Sequence, residues 1–314
     1  MTGAGDGVAG EAVPGPSRFG SPRSAPPHRL LYLGTPAMAV RPLRALVDAG
    51  FDVVGVVTRI DKRRGRGGEL SPSPVKAAAV ALGLPVVHTV DEGIGLAAAA
   101  GAELGVVVAF GQLIRPHALA ALTMVNLHFS LLPRWRGAAP VERALLAGDT
   151  VTGVCLMQLE EGLDTGPVFA RVEVPIGAEA TGDSLRHALV EVGTRLLVDE
   201  LSAGLPAPVA QAGEVTYAAK LTPEDLRLDW SRPAGELERV VRLGGAWTVV
   251  RDKRLKVHEV ELVDARVSGD VFVDPATGIV GGLRLVTVQP EGKAPMPYRD
   301  FANGARPSAG ERLG

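Results

Sequence analysis

Strand-like and helix-like patterns of apolar residues alternate along the first two thirds of the chain. Short apolar runs, typical of strands buried on both faces, occupy residues 29–34, 52–57, 84–88, 104–111 and 123–128. Helical patterns separate them, for example at residues 37–50 and 73–83. Strands that alternate with helices indicate an α/β fold, and we predict a Rossmann-like domain with a mostly parallel sheet.

The same pattern continues up to about residue 202. Further strands and helices are predicted at residues 138–147, 152–160 and 168–175, before a long helix that ends near Ser202. Both Thr181 and Asp183 are suitable N-caps for that helix. Residues 203–220 then lack any period and are rich in alanine, proline and glycine, so we predict a linker after a first domain at 29–202.

A different pattern begins after this segment. Short runs of alternating apolar and polar residues occupy 247–262, 269–274 and 281–290. Turn residues separate these runs at the spacing of a small antiparallel barrel. We therefore predict a smaller, OB-like β-barrel domain over residues 221–314.

Residues 1–28 differ in composition from the rest of the chain. They are rich in glycine, proline, serine and alanine and contain no apolar core of the kind that a secretory signal requires. Such a composition cannot bury enough apolar surface to fold, so we predict a disordered extension. No run in the chain approaches the roughly 18 to 20 apolar residues of a membrane span. We expect a cytoplasmic protein without a membrane partner.

The overall composition constrains the core and the cofactors. Hydrophobic residues make up 46% of the chain but aromatic residues only 4%, so the core must consist mainly of alanine, valine and leucine. The single cysteine, Cys155, excludes an intramolecular disulfide and a metal site built from several cysteines. Because it lies in an apolar run, we expect an inert buried thiol, and we predict no metal cofactor.

The end of the first strand bears on the class of enzyme. Gly34-Thr35-Pro36 lacks the G-x-G-x-x-G pattern of a dinucleotide site and is typical of an ordinary strand-to-helix turn. A nicotinamide-dependent dehydrogenase is therefore disfavoured. Ligands of open α/β sheets bind outside the carboxyl ends of strands, so other strand ends are the places to look for chemistry.

A polar pair, Asn126 and His128, lies at the end of the strand predicted at 123–128. Residues two apart on a strand point to the same face, so the amide and the imidazole lie side by side. An amide donor beside a histidine suits acyl-type transfer, in which an oxyanion develops and a proton moves. Asp164, in the loop after the next strand, is placed to orient the imidazole. Taken singly, each of these residues would be better explained by an ordinary structural role.

The densest positive run in the chain consists of Arg59, Lys62, Arg63, Arg64 and Arg66, with glycines between them. A basic run is usually only a solvated surface. This one follows a strand of the predicted sheet near the candidate catalytic edge, where it is well placed to meet a phosphate backbone.

Three separated motifs together resemble the folate-dependent formyltransferases. They are Asn126-x-His128, the turn Ser130-Leu131-Leu132-Pro133, and Asp164-x-Gly166-Pro167, and the resemblance extends from about Arg29 over nearly the whole remaining chain. It implies that Asn126, His128 and Asp164 are catalytic and that formyl-tetrahydrofolate is the co-substrate. It also implies that the folate is held by Ser130, Leu131, Leu132, Pro133, Phe110 and Gly111.

The second domain and the basic run resemble those family members that act on an aminoacyl-tRNA. This implies formyl transfer to the α-amine of methionyl initiator tRNA by a monomeric enzyme. It further implies that the tRNA contacts Arg59, Lys62, Arg63, Arg64 and Arg66. Two alternatives remain at this stage. One is a formyltransferase for a small amine such as an amino sugar, and the other is a catalytically silent RNA-binding protein, which would not need all three candidate catalytic residues.

Overall fold

The computed structural model describes residues 17–18, 24–64, 68–264, 273–308 and 311–314. Two domains, each with its own core, account for these residues. The first contains buried clusters on both faces of one large sheet, and the second has a separate cluster around Trp230, Leu237 and Val257. The predicted division into a larger α/β domain and a smaller β domain is confirmed.

The elements of the first domain follow the predicted alternation. Its strands are β1 (Ser17–Arg18), β2 (Arg29–Gly34), β3 (Asp52–Val57), β4 (Lys62–Arg64), β5 (Glu69–Ser71), β6 (Val86–Val87), β7 (Leu104–Val108), β8 (Met124–His128), β9 (Arg136–Gly137), β10 (Val151–Gln158) and β11 (Val168–Pro175). Its helices are α1 (Val40–Asp48), α2 (Pro74–Ala81), α3 (Val90–Ala100), α4 (Pro116–Ala121), α5 (Pro140–Ala147) and α6 (Gly182–Ala203).

Eight of these strands form one sheet in the order β1-β11-β10-β8-β7-β2-β3-β6. The five strands from β8 to β6 run parallel to one another. The hairpin of β10 and β11 continues the sheet in the antiparallel sense beside β8. The predicted mostly parallel sheet is therefore confirmed, and β8, which carries the polar pair, lies where the strand direction reverses.

Burial on both faces explains why the parallel strands are continuous apolar runs. In β2, Leu30 and Tyr32 belong to the core on one face of the sheet, whereas Leu31 and Leu33 belong to the core on the other. The hydroxyl of Tyr32 donates a 2.6 Å hydrogen bond to the carbonyl of Ala39, and burial raises its pKa well above the ordinary value. A strand with this alternation requires helices on both faces.

Helix α6 begins after Thr181, which settles the choice between the two candidate caps. The hydroxyl of Thr181 accepts the main-chain N–H of Ser184, and the Ser184 hydroxyl in turn accepts the N–H of Thr181. Asp183 lies inside the first turn, where its negative charge is favourable to the helix dipole. None of the described helices is long and apolar enough to cross a membrane.

The second domain is antiparallel. It contains α7 (Ala234–Leu243), β13 (Trp247–Val250), β14 (Lys253–Leu262), β15 (Ile279–Val280), β16 (Leu283–Pro290), β17 (Met296–Pro297) and α8 (Tyr298–Ala305). The strand order is β13-β14-β16-β15, and β17 pairs with β16. Most of the strand predicted at 269–274 lies outside the described residues.

Two segments predicted to be irregular make specific contacts with the first domain. Within the extension, Ser17–Arg18 pairs with β11, and the main-chain N–H of Ser24 donates to the carbonyl of Leu205. These residues of the extension therefore contact the first domain, and the disorder of residues 1–28 stays a prediction. In the predicted linker, Val209 bridges Val168, and β12 (Tyr217–Ala218) pairs with β9. Residues 203–220 are thus paired with the first domain at two places, and we call this segment the strap.

Candidate active site

A cavity of about 510 Å³ lies at the end of β8, and Asn126, His128 and Asp164 all line it. The first two residues come from the strand itself. Asp164 comes from the loop of residues 159–167 between β10 and β11. This loop starts beside Met124, whose carbonyl accepts the N–H of Leu159, and folds back far enough for Asp164 to reach His128. The structure therefore brings the three predicted catalytic residues together.

His128 is held between a carbonyl and a carboxylate. Its Nε2 lies 3.0 Å from the carbonyl oxygen of Trp135, and its Nδ1 lies 3.6 Å from Oδ2 of Asp164. A carbonyl can only accept a hydrogen bond, so Nε2 carries a proton and Nδ1 is the nitrogen that can exchange one. The side chain is only 6% exposed, and Asp164 is the counter-ion for the imidazolium that forms when the ring gains a proton.

Asp164 is fixed by its own main chain and by a second loop. Its φ of 50° lies in the left-handed region, which a residue other than glycine rarely adopts. Its Oδ2 accepts a 2.8 Å hydrogen bond from the N–H of Gly137. Gly166 closes the loop so tightly that an added Cβ would lie 2.0 Å from the carbonyl oxygen of Gln158. Glycine at position 166 is therefore a steric requirement of the loop.

Asn126 differs from His128 in that its side-chain amide is free. The side chain is partly buried and lines the cavity, and it makes no hydrogen bond to other described residues. An amide in this position is available to donate to an oxygen of a bound ligand. His128 and Asn126 thus present one fixed group and one uncommitted donor to the same space.

The loop that positions His128 is braced by Asp149. The indole Nε1 of Trp135 donates to Oδ2 of Asp149 at 2.8 Å, and the guanidinium of Arg134 binds both oxygens of that carboxylate, at 2.9 and 2.6 Å. The same guanidinium lies 4.5 Å from the centre of the Trp135 ring. The carbonyl that faces His128 is therefore part of a rigid turn.

The turn predicted to hold the folate follows directly after β8, and its role in folate binding stays a prediction. Ser130, Leu131, Leu132 and Pro133 do not line this cavity. The hydroxyl of Ser130 donates to the carbonyl of Arg134 at 2.6 Å, and Leu132 packs in an apolar cluster with Cys155 and Met157. These side chains are used inside the protein, where they support the loop that carries Trp135.

Phe110 and Gly111, in contrast, do line the cavity, together with the residues that follow them up to Ile114. Leu113 and Leu163 lie on its wall and are 82% and 60% exposed. An added Cβ on Gly111 would meet no atom within 4 Å, so open space adjoins its main chain. This side of the cavity is an exposed apolar surface suited to a flat ligand.

An ion pair lies at another part of the cavity wall. Arg186 donates to Glu142 at 2.8 Å and to Asp183 at 2.7 Å. Partial burial alone would lower the pKa of Arg186, but the two carboxylates raise it above its ordinary value. Sequence reasoning missed the pair of Arg186 with Glu142, because these two residues lie on different helices and no local pattern connects them.

Two family models match the chain, namely formyl transferase over residues 28–201 and the C-terminal domain of formyl transferase over residues 220–306. The chain belongs to the formyltransferase family. A protein of Symbiobacterium thermophilum named methionyl-tRNA formyltransferase is 43% identical over 91% of this chain and 95% of its own length. A protein of the same name from Paenarthrobacter aurescens is 46% identical over 88% of this chain and 96% of its own.

Solved structures of formyltransferases share the fold at low identity. The methionyl-tRNA formyltransferase from Clostridium thermocellum aligns with a TM-score of 0.54 and 15% identity, over 74% of this chain and 92% of its own. An N-formyltransferase from Helicobacter canadensis, solved with folinic acid and dTDP-3-aminofucose, aligns with a TM-score of 0.61 and 14% identity. That alignment covers 83% of this chain and 98% of the other.

The basic run of this formyltransferase is partly a hairpin. Lys62 and Arg63 are exposed on β4, which pairs with β5, and Arg63 also donates to the carbonyl of Gly68 at 2.9 Å. Arg59 is half-buried, Arg64 contributes backbone pairing to the hairpin, and Arg66 lies outside the described residues. The hairpin follows the carboxyl end of β3, at the same edge of the parallel sheet as the end of β8.

The buried cysteine and the charged side chains are the remaining groups that could act as a nucleophile or bind a metal. The described part of the chain contains no group of three or more His, Cys, Asp or Glu residues that could hold a metal ion. Cys155 is free and buried, as expected from its apolar context, and burial raises the pKa of its thiol to about 12.

Proposed function

We propose that this chain transfers a formyl group from formyl-tetrahydrofolate to the α-amine of methionyl initiator tRNA. The observation that carries the proposal is the convergence of Asn126, His128 and Asp164 on one cavity, in a chain that matches named relatives over nearly its full length. The enzyme would act as a monomer in the cytoplasm, where initiator tRNA is charged and used.

The reaction requires one C–N bond to form and another to break. An α-amine has a pKa of about 8, so a useful neutral fraction exists near neutral pH. The neutral amine attacks the formyl carbon and produces a tetrahedral oxyanion. Asn126 donates its free amide hydrogen to that oxygen, and the His128 imidazolium stabilises the same charge. The attacking nitrogen loses a proton, the departing folate nitrogen gains one, and His128 carries it with Asp164 as its counter-ion.

Phe110 and Gly111 are the proposed folate contacts that the cavity supports directly. The open space beside Gly111 allows a flat ring to approach its main chain, and the apolar surface of Leu113 and Leu163 would be covered by such a ring. Ser130, Leu131, Leu132 and Pro133 are proposed to contact the folate largely through their main chain, because the Ser130 hydroxyl and the Leu132 side chain are used inside the protein.

The basic run supplies the proposed first contacts with tRNA. Lys62 and Arg63 are exposed and free of carboxylate partners among the described residues, so they can neutralise phosphates, and Arg59, Arg64 and Arg66 belong to the same run. In the second domain, Lys253, Arg254 and Lys256 are exposed on β14 and are proposed to extend the basic surface. Such contacts position an RNA backbone without reading its sequence.

A small-amine acceptor is the second candidate function. It is supported by the fold shared with the Helicobacter canadensis N-formyltransferase that was solved with an amino-sugar nucleotide. The exposed hairpin has no evident use in an enzyme for such a small acceptor, because a free amino sugar carries no extended phosphate backbone.

A formylation assay with defined acceptors tests the choice. Purified full-length protein would be given formyl-tetrahydrofolate and either methionyl initiator tRNA, the same tRNA without methionine, or a dTDP-amino sugar. We expect rapid turnover with the charged tRNA only. Turnover with the amino sugar and none with the charged tRNA would overturn the proposal, and no turnover with any acceptor would favour a silent RNA-binding protein.

A further inference from the structure

The strap between the domains lies directly behind the two catalytic loops. Val209 pairs with Val168 at the end of the Asp164 loop, and Tyr217 and Ala218 pair with Arg136 and Gly137. Between these two anchors, Gln211 is partly buried and reaches both loops. A segment that sequence patterns identify only as a linker thus touches the supports of the active site.

Gln211 uses all the hydrogen-bonding capacity of its side-chain amide. Its Nε2 donates to the main-chain carbonyls of Asp164 and Gly166, each at 2.8 Å. Its Oε1 accepts from Nε and NH2 of Arg136, at 3.1 and 2.7 Å. An amide is the side-chain group that offers two donor hydrogens and a doubly accepting oxygen at one end. No other residue type of this length satisfies all four contacts.

These contacts meet Asp164 from two sides. On one side, the amide holds the carbonyl of a residue whose φ of 50° is otherwise unfavourable. On the other side, Arg136 precedes Gly137, whose N–H binds the carboxylate of Asp164. Both ends of the aspartate, its main chain and its carboxylate, are therefore tied to the same glutamine.

We propose that Gln211 is a positioning residue for formyl transfer, and that it keeps the carboxylate of Asp164 facing Nδ1 of His128. The proposal rests on the catalytic role proposed above for Asp164. Gln211 does not line the cavity, so it acts through Asp164 and not on the substrates. Without the amide, the left-handed backbone conformation of Asp164 relaxes, and the carboxylate moves away from the imidazole of His128.

The first test compares two substitutions at this position. Gln211→Leu removes all four hydrogen bonds, and Gln211→Glu keeps the acceptor for Arg136 but loses the donors to the two carbonyls. Because a displacement of about 1 Å can cost roughly a hundredfold in rate, both variants should lose about 10- to 100-fold in kcat. Folate affinity, measured by equilibrium binding, should be unchanged. Full activity of Gln211→Glu would show that only the contact with Arg136 matters and would overturn the proposal.

The second test is a double-mutant cycle with Asp164→Asn. If Gln211 acts through Asp164, adding Gln211→Leu to Asp164→Asn should reduce the residual rate no further. The acidic limb of the pH profile of kcat should also shift in the same direction in both single variants. Losses that multiply, or an unchanged pH profile in Gln211→Leu, would show a general structural role and overturn the proposal.

The controls separate this proposal from the one on which it rests. Glu214→Gln alters an exposed residue of the same strap and should keep the wild-type kcat. If Asp164→Asn lowers kcat but Gln211→Leu does not, only the role of Gln211 is wrong. If Asp164→Asn itself keeps the wild-type rate, the proposed roles of both residues are wrong.

Discussion

The proposed catalytic centre and the basic hairpin differ in how firmly the rest of the chain holds them. The side chains of His128 and Asp164 are 6% and 13% exposed. Two other segments fix them, through the carbonyl of Trp135 and the N–H of Gly137 in one loop, and through the amide of Gln211 in the strap. Lys62 and Arg63 are exposed on a two-stranded hairpin. Directly before the hairpin, the carboxylate of Asp61 accepts a 2.8 Å hydrogen bond from Nζ of Lys76.

The difference in how firmly the two regions are held is what their proposed roles require. Stabilising a developing charge requires groups that already point at it, since reorientation during the reaction would cost energy. Neutralising phosphates requires accessible charge and tolerates imprecise geometry. The comparison predicts that changes in the centre act on the rate of transfer, whereas changes in the hairpin act on the use of tRNA.

Replacing His128, the proposed proton carrier, should have the largest effect. His128→Ala removes the group that carries the proton, and general acid–base catalysis contributes about 10²- to 10⁴-fold, so kcat should fall by that order. Steady-state kinetics with saturating folate and charged tRNA would measure it. Folate affinity should change little, because Phe110 and Gly111 remain in place.

His117 offers a matched control for this experiment. It also pairs with a carboxylate, at 2.7 Å from Asp91, but this pair is exposed on the surface. His117→Ala should therefore keep the wild-type kcat. If His128→Ala retained most of its turnover, or if both alanine variants lost it equally, the assignment of His128 as the proton carrier would be wrong.

Removing charge from the hairpin should have a smaller effect, confined to tRNA. Lys62→Ala combined with Arg63→Ala should raise the KM for charged tRNA and leave the KM for folate unchanged. The dependence of log affinity on log salt concentration should become shallower by roughly 0.7 to 0.9 per lost phosphate contact. A filter-binding titration at several salt concentrations would measure this slope.

The control removes two arginines that are exposed on helices of the first domain, Arg44 and Arg195. Arg44→Ala combined with Arg195→Ala changes the net charge equally and should leave the salt slope unchanged. Equal slopes in the two double variants would show that only total charge matters, and the hairpin would then be an ordinary solvated surface.

The smallest expected effect concerns the thiol beside the catalytic centre. Cys155 pairs directly with His128 across the β10–β8 ladder, and burial raises its pKa from 9.0 to about 12. The folded chain therefore keeps the neutral thiol where the unfolded chain ionises. Its contribution to stability is complete below pH 9 and decreases as the pH rises towards 12.

Urea unfolding of the wild type and of Cys155→Ala between pH 8 and pH 10.5 would measure this effect. The difference in the free energy of unfolding should be constant up to about pH 9 and should then change, to the disadvantage of the wild type. A difference independent of pH would mean that the thiol ionises equally in both states, and that the face of the sheet beside His128 is less tightly packed than described.

Local patterns predicted the sheet and the place of the polar pair at the end of β8, because one physical rule governs both. Strands buried on two faces must be apolar throughout, so polar residues at their ends are conspicuous. Asn126 and His128 share a face because the period of a strand is two. The first domain and the position of the polar pair could therefore be predicted from the sequence.

Contacts between distant segments could not be predicted in this way. Gln211 lies in a segment without any period, and its role depends on the path of the main chain at Asp164 and Gly166. Likewise, no local pattern indicated that the side chain of Leu132 packs in an apolar cluster with Cys155 and Met157. Helix α4 was not predicted, because its six residues are too few to show a clear helical period.

Single-turnover formylation at increasing concentrations of charged tRNA tests the separation of the two regions most directly. Each experiment yields a maximal rate of transfer and a concentration for half-maximal rate. We predict that His128→Ala lowers the maximal rate alone, and that Lys62→Ala combined with Arg63→Ala raises only the half-saturating concentration. If the hairpin variant lowered the maximal rate as strongly as the histidine variant does, the two regions would not be separate, and the account would be contradicted.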